Sequence, residues 1–377
     1  MNILYDFQIF YEQIYGGVSR YHMELVKVLN QYYDCEIDIF VIFSRNFYLG
    51  NYLGKNRMHT GKLYKKIVYN HFIKKYFIEL NKKNTLKKIE KENYDIIHIT
   101  WTDPYCDMAA KGKLVVTIHD MIHELLWEKT EFAKQEIEHK KRVIYEAEAI
   151  IAISENTKQD ILHIYPDVPD EKITVIYHGT NHLPAPVCPK EMSVPKRYFL
   201  YVGQRRGYKN ASLFLDAVSG ILKEQRDIRV ILVGGGSLLK EEIEELRRLD
   251  IRDFVIQYNA SDGELAYLYE NAICFIYPTK YEGFGFPVLE AFDHGCPVIC
   301  TNSSSLPEVG GNAALYFEPD NVQDLKDKIN HVLSDENLRR QCAAAGRERV
   351  KLFDWNKTAN ETYGLYKKVM NRRIINL

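Results

Sequence analysis

The sequence predicts an α/β protein built of two Rossmann-like domains. Three observations carry that prediction. The chain has 377 residues, too many for one small core and suited to two domains of ordinary size. Short apolar runs alternate with longer stretches of helical length. A proline-rich run divides this pattern near its middle.

The first series of apolar runs is Ile3–Tyr5, Ile37–Phe43, Ile96–Ile99, Leu114–Ile118, Ala149–Ile153 and Ile173–Ile176. Each is short and apolar enough to be a buried strand, and the strand-then-helix rhythm predicts a parallel sheet covered on both faces. His182-Leu-Pro-Ala-Pro-Val-Cys-Pro189 then places three prolines in eight residues, with Pro195 following. Such a run continues neither a helix nor a central strand, so it reads as a linker. The second series is Tyr198–Val202, Arg229–Val233, Val255–Gln257, Cys274–Tyr277 and Pro297–Cys300. Within it, Ser261-Asp-Gly-Glu264 has the spacing of a helix capping box. The expected domains are 1–187 and 188–361. Open sheets of this kind bind ligands beyond the carboxyl ends of their strands, and with two domains the cleft between them is the default site.

Composition excludes several classes. A net charge of −1 offers no global field for nucleic acid. Seven cysteines, without C-x-x-C spacing, suit neither a disulfide framework nor a zinc site and fit a reducing cytoplasm. The start, Met-Asn-Ile-Leu-Tyr-Asp, lacks the pattern of a signal peptide, and no apolar run approaches the ~18 residues of a membrane helix. The expected location is cytoplasmic. Residues 55–91 stand apart. They are crowded with Lys and Arg, their acids are Glu79 and Glu90, and Tyr64, Tyr69, Phe72, Tyr76 and Phe77 are interleaved. That texture suits an anionic membrane surface, as on the inner face of the plasma membrane, and equally a solvated basic helix pair covering the first sheet.

The most informative stretch is Tyr277-Pro-Thr-Lys-Tyr-Glu-Gly-Phe-Gly-Phe-Pro-Val-Leu-Glu-Ala-Phe292. A strand ends near Tyr277. Gly283 and Gly285 permit unusual backbone angles and close approach of a ligand. Pro287 suits the first position of a helix, whose N–H groups, such as those of Val288 and Leu289, would hold an anion. Glu282 and Glu290 flank that site. Carboxylates repel a diphosphate at close range but accept hydrogen bonds from hydroxyl pairs on either side of it. A ribose, a diphosphate and a hexose in line form such a ligand.

The Glu-x7-Glu spacing with Gly-Phe-Gly inside it resembles the signature of retaining glycosyltransferases of the GT-B fold, in family 4 (glycosyl transferases group 1), of the bacterial polysaccharide and lipopolysaccharide type. The resemblance implies a GT-B fold, two Rossmann-like domains facing an interdomain cleft. It assigns Glu290 to the ribose diol, Glu282 to the transferred sugar, and the backbone of Gly283, Phe284 and Gly285 to the sugar and phosphates, with Val288 at the helix start. Tyr201-Val-Gly-Gln-Arg-Arg-Gly-Tyr-Lys-Asn210 resembles the family's Gly…Arg…Lys-Asn motif. A cation fixed there stabilises the charge that builds on a departing diphosphate. The roles fall to Lys209 and to Arg205, with Arg206 a rival because Gln204 stands where many members have arginine. Tyr15-Gly-Gly-Val-Ser-Arg-Tyr21 resembles the amino-terminal glycine loop, with Gly17 toward the donor phosphate. In Thr117-Ile-His-Asp120, His119 matches a histidine that touches the transferred sugar, and Asp120 would orient it or serve the acceptor. Gly234-Gly-Gly236 reads as a turn near the nucleotide, and Tyr258 as a border of the base. Phe353-Asp-Trp355 resembles the carboxy-terminal motif, after which a last helix, 362–377, is expected to pack back on the first domain.

The implied activity is retaining, metal-independent hexosyl transfer. The donor is a nucleoside diphosphate sugar carrying mannose, a glucose-type hexose or rhamnose, and the acceptor is a glycan or a lipid-linked molecule of cell-surface polysaccharide synthesis. No Asp-x-Asp occurs to hold a metal on the diphosphate, and no cofactor is expected. A sugar-nucleotide epimerase of similar fold and a non-catalytic nucleotide-sugar-binding protein are the alternatives. A nicotinamide dehydrogenase is disfavoured because Gly234-Gly-Gly236 lacks the third glycine of G-x-G-x-x-G.

Overall fold

The computed structural model describes residues 1–53, 71–103, 113–126, 131–180 and 182–371. The chain divides into two compact units, one of residues 1–179 with 355–377 and the other of residues 180–354.

The first unit holds strands β1 (Asn2–Tyr5), β2 (Glu36–Ile39), β3 (Ile96–Ile99), β4 (Lys113–Ile118), β5 (Ala149–Ala152) and β6 (Ile173–Val175). They form one parallel sheet in the order β2-β1-β3-β4-β5-β6. Side chains alternate between its faces. Leu114, Val116 and Ile118 of β4 pack with Val143, Ile144 and Ile161 on one face. Val115 packs on the other with Tyr21, Leu25 and Leu29 of the helix Gly17–Tyr32 and with Tyr366 of the helix Trp355–Asn371. Both faces are therefore covered, which explains strands that read as continuous apolar runs.

Strand β2 ends sooner than the run Ile37–Phe43 suggests. Its partner β1 stops at Tyr5, opposite Ile39. The N–H groups of Ile42 and Phe43 turn instead to Asn81 Oδ1, at 3.0 and 3.2 Å. Of the basic stretch 55–91, residues 55–70 lie outside the described residues. The helix His71–Lys91 uses part of its charge on the unit's own acids: Lys74 pairs with Glu12 at 3.0 Å, Lys82 with Asp103 at 2.9 Å and Lys88 with Asp38 at 2.7 Å. Among the described residues no helix is long and apolar enough to cross a membrane.

The second unit holds β7 (Arg197–Val202), β8 (Ile228–Val233), β9 (Val255–Tyr258), β10 (Cys274–Tyr277), β11 (Val298–Thr301) and β12 (Ala314–Phe317), again all parallel, in the order β12-β11-β10-β7-β8-β9. Strand β12 is absent from the sequence-based series. It is a four-residue edge strand with only its ends buried, although Ala-Leu-Tyr-Phe is as apolar a run as Cys274–Tyr277. In each sheet the chain order reverses once, between β1 and β3 and between β7 and β10. Loops leaving neighbouring strands diverge there and open a crevice at the carboxyl ends.

Candidate active site

The second unit's reversal point is where the expected motif sits. Strand β10 is wholly buried and delivers Tyr277 as its last residue. The loop that follows is braced by the segment after β11. Thr301 Oγ1 donates to the Thr279 carbonyl at 2.5 Å, and Ser305 Oγ lies 2.8 Å from the carbonyls of both Glu282 and Phe284. The Glu282 N–H donates to Ser304 Oγ at 2.9 Å. Gly285 caps the helix Phe286–Asp293 with φ of 111°. A Cβ there would come within 2.8 Å of Leu306, so backbone angle and space both require glycine. Phe284 is buried against Phe286 and Phe353, while Gly283 before it is partly exposed. The Val288 N–H donates to the Gly285 carbonyl at 3.0 Å. This corrects the expectation that Val288 offers a free donor to an anion: the positive φ of Gly285 turns its carbonyl back onto that group.

Lys209 arrives from the other side of the reversal. After β7 the chain makes a short turn, Gly207–Lys209, closed by Asn210 in the left-handed region at φ 55°. The two loops are stitched by the Lys280 N–H, which donates to the Tyr208 carbonyl at 2.7 Å. Lys209 Nζ then reaches Glu282 Oε1 at 2.5 Å, and the Tyr277 hydroxyl donates to the same oxygen at 2.6 Å. Burial works against the lysine's charge, but the Glu282 carboxylate outweighs it and its pKa is raised. Tyr277 is pushed far up, first by burial and then by Glu282, so it stays a hydrogen-bond donor. The sequence pointed to Lys209 and Glu282 but gave Tyr277 no role beyond ending a strand. A hydroxyl-bearing ring at the last buried position before the motif was the available signal. On the helix, Glu290 Oε2 accepts from the Tyr269 hydroxyl at 3.4 Å.

Arg205 is placed otherwise than expected. Its side chain is 4% exposed and pairs with Glu242 through Nε at 2.7 Å. Its other nitrogens donate to the carbonyls of Gly234, Gly236 and Ser237. Gly234, Gly235 and Gly236 all have positive φ, so their carbonyls converge on one cation. A Cβ on Gly235 would stand 2.6 Å from the guanidinium. Arg205 therefore braces the glycine turn after β8, and the exposed neighbour Arg206 is the arginine left at the surface. Tyr258 ends the edge strand β9, and its hydroxyl donates to Glu264 at 2.6 Å.

In the first unit, Gly17 starts an exposed helix end with open space around its Cα, while Gln13 Oε1 accepts from the Ser19 N–H at 3.1 Å. His119 follows β4. Its ring stands edge-on to Tyr21, centroids 5.2 Å apart, and its Nε2 is buried without a hydrogen-bond partner among the described residues. Burial lowers its pKa to about 4, so it is neutral near pH 7. Asp120 Oδ1 accepts from the Ile122 N–H at 3.1 Å.

Unforeseen from sequence, His119 belongs to a group of four histidines. His22 lies 5.7 Å from it and 5.4 Å from His98, and His178 lies 5.7 Å from His119. His98 is fixed by the Tyr366 hydroxyl at 2.5 Å and Thr117 Oγ1 at 2.9 Å. The signal was His98 itself, a polar residue inside the apolar strand Ile-Ile-His-Ile. At this unit's own reversal, Asp6 accepts from the Thr100 N–H at 2.9 Å, and a cavity of about 490 Å³ opens beside Gln8, Trp101, Asp103, Glu136 and His139. A smaller recess next to His119 and Asp120 shares Trp101 and Glu136 with it.

Comparisons agree with this architecture. Residues 15–182 match the family model described as Glycosyltransferase Family 4, and residues 190–349 match that for glycosyl transferases group 1. Over 231 residues the chain is 30% identical to the O-antigen chain mannosyltransferase B of Escherichia coli, covering 59% of this chain and 61% of that one. The next curated relatives are longer, and the match spans under a third of their length. Among solved structures, a glycosyltransferase from Rickettsia africae superposes with a TM-score of 0.72 at 21% identity, covering 99% of each chain. HepE of Anabaena, solved in complex with UDP-glucose, gives 0.71 at 16% identity over 98% of this chain and 100% of its own. The fold is the GT-B arrangement of two doubly wound units.

Proposed function

The chain belongs to the glycosyl transferases group 1 family, and we propose that it transfers a hexose, with retention, from a nucleoside diphosphate sugar to a glycan or lipid-linked acceptor in polysaccharide synthesis. The observation that carries this reading is the meeting of Lys209, Glu282 and Tyr277 at the β7/β10 reversal, on a glycine loop that leads to Glu290. Mannose is the favoured sugar because the E. coli relative is a mannosyltransferase. The UDP-glucose complex of HepE supports the donor class.

In this reading Glu290 accepts from the ribose diol and Glu282 from the sugar hydroxyls, while Lys209 faces the diphosphate. As the bond from sugar C1 to phosphate oxygen breaks, its electron pair stays on the phosphate, and Lys209 stabilises that charge in a half-buried setting. The acceptor oxygen bonds to C1 on the same face and its proton passes to the departing phosphate. Arg206 takes the second cationic role in place of Arg205. His119, neutral near pH 7, exchanges a hydrogen bond with a hydroxyl of the transferred sugar. The cavity beside Trp101 and Asp103 is the acceptor side. The reaction needs no metal in this account, and attachment at the inner membrane face brings a lipid-linked acceptor within reach.

The test is incubation with UDP-, GDP- and dTDP-hexoses and a panel of α-mannosyl and lipid-linked acceptors, with products read by mass spectrometry. A new glycoside with unchanged anomeric configuration, formed equally in the presence of a chelator, is expected. Donor isomerised or left intact with every acceptor would instead support the epimerase or binding-protein readings.

A further inference from the structure

Lys209 and Glu282 hold each other in the absence of any ligand. Both side chains are mostly buried, at 16% and 13% exposure. Two donors, Lys209 Nζ and the Tyr277 hydroxyl, converge on the single oxygen Oε1, while Oε2 has no hydrogen-bond partner among the described residues. Lys209 also lies over the ring of Tyr208, 4.9 Å from its centroid, and 3.4 Å from the Tyr277 hydroxyl. The cation that a diphosphate needs is thus already engaged, and the carboxylate that a sugar needs is what engages it.

Granting the donor reading above, we propose that this pair discriminates the intact donor from the released nucleotide, with Tyr277 as its positioning residue. A bare nucleoside diphosphate offers anionic oxygens to Lys209 and nothing to Glu282. To bind, it must draw the cation away and leave a half-buried carboxylate facing a like charge, the costly way to break such a pair. An intact nucleotide sugar brings hydroxyl donors with its phosphates, so Lys209 and Glu282 exchange one partner for another. Once the sugar has left, Glu282 recaptures Lys209 and loosens the diphosphate. The Tyr277 hydroxyl stays on Oε1 in both states. It keeps the carboxylate aimed and leaves Oε2 for the sugar.

Calorimetric titration of the full chain with UDP, GDP and dTDP and with their hexose conjugates tests this. Glu282→Gln keeps the shape and removes the charge. It is expected to bind the cognate bare diphosphate about tenfold more tightly than wild type and the intact donor about tenfold more weakly. Tyr277→Phe, which keeps the ring in its packing, should move the ratio of the two affinities the same way by about threefold; it carries the test should Glu282→Gln fail to fold. A merely destabilised site would weaken both ligands together. Folded Glu282→Gln protein with unchanged or weaker diphosphate binding overturns the proposal, and an unchanged ratio in Tyr277→Phe overturns the part given to Tyr277. Wild-type protein that binds none of these nucleotides overturns the donor reading and this inference with it.

Discussion

The two units share a doubly wound parallel sheet, yet the polar groups near their strand ends differ, although both bury an ion pair, Lys140 with Glu124 in the first. The first unit buries neutral imidazoles: His22, His98 and His178 are almost wholly inaccessible, and His119 stands among them. The second unit pairs ions, Lys209 with Glu282 and Arg205 with Glu242. Neutral imidazoles can be buried near a sheet end without the cost of a buried charge. Paired ions can release a cation to a phosphate. The difference shows that one doubly wound sheet can hold polar groups at its ends in more than one way.

Acid offers the largest way to break this contrast. Burial holds His98 at about 3 and His119 at about 4, and it lowers His22 and His178 as well. All lie below the ordinary value near 6.5, so the unfolded chain takes up protons first. Stability declines as pH falls through about 6.5 toward these folded values, by roughly 2 kcal/mol at pH 5 for each of His98 and His119, with His22 and His178 acting in the same direction. Asp6 opposes this: burial raises it to about 6, so it adds stability on acidification. Four groups outweigh one, and melting of the first unit should fall steeply between pH 7 and pH 5. A flat melting temperature across that range would mean the cluster is more open than its burial implies.

In the second unit, Lys209→Ala should lose roughly 10²–10³ in turnover, as when one preorganised charge-stabilising donor is removed. Near-normal turnover in folded protein would take Lys209 out of that role. The two arginines separate cleanly. Arg205→Ala leaves Glu242 and the glycine-turn carbonyls without their cation and should cost about 3 kcal/mol in denaturant titration. Arg206→Ala should leave stability unchanged and lower turnover. The reverse pattern would restore Arg205 to the diphosphate. The smallest effect is expected of Glu290→Ala, about tenfold in nucleotide affinity by calorimetry with little change in turnover.

Eleven of the described strands were legible from short apolar runs, most plainly β3, β5, β10 and β11, which are buried throughout. Strand β12, at the sheet edge with Leu315 and Tyr316 half-buried, was missed although its residues are apolar. The glycine loop and its glutamates were legible from local chemistry, because Gly285 has to be glycine whatever surrounds it. What Arg205 does was not legible. Its partner Glu242 lies 37 positions away, and nothing nearby distinguishes a cation facing a ligand from one facing carbonyls. The histidine cluster was hidden for the same reason, its members being spread from position 22 to position 178 and joined only by the sheet.

Gly179 lies so close to Trp355 that a Cβ would stand 2.4 Å from the Trp355 nitrogen. The chain therefore leaves the first unit and re-enters it at one spot, and residues 180–354 form a cassette inserted between two adjacent points of the first unit's chain. Genetically, the cassette is removable. Joining residue 179 to residue 355 through a few flexible residues should yield a small protein that melts cooperatively, with Tyr366 still seated on Tyr5 and His98. Stopping the chain at residue 179 instead should expose the apolar face that this last helix covers. The carboxy-terminal helix is the closing piece of the amino-terminal fold, so the first unit cannot be complete until the ribosome has made the whole second one.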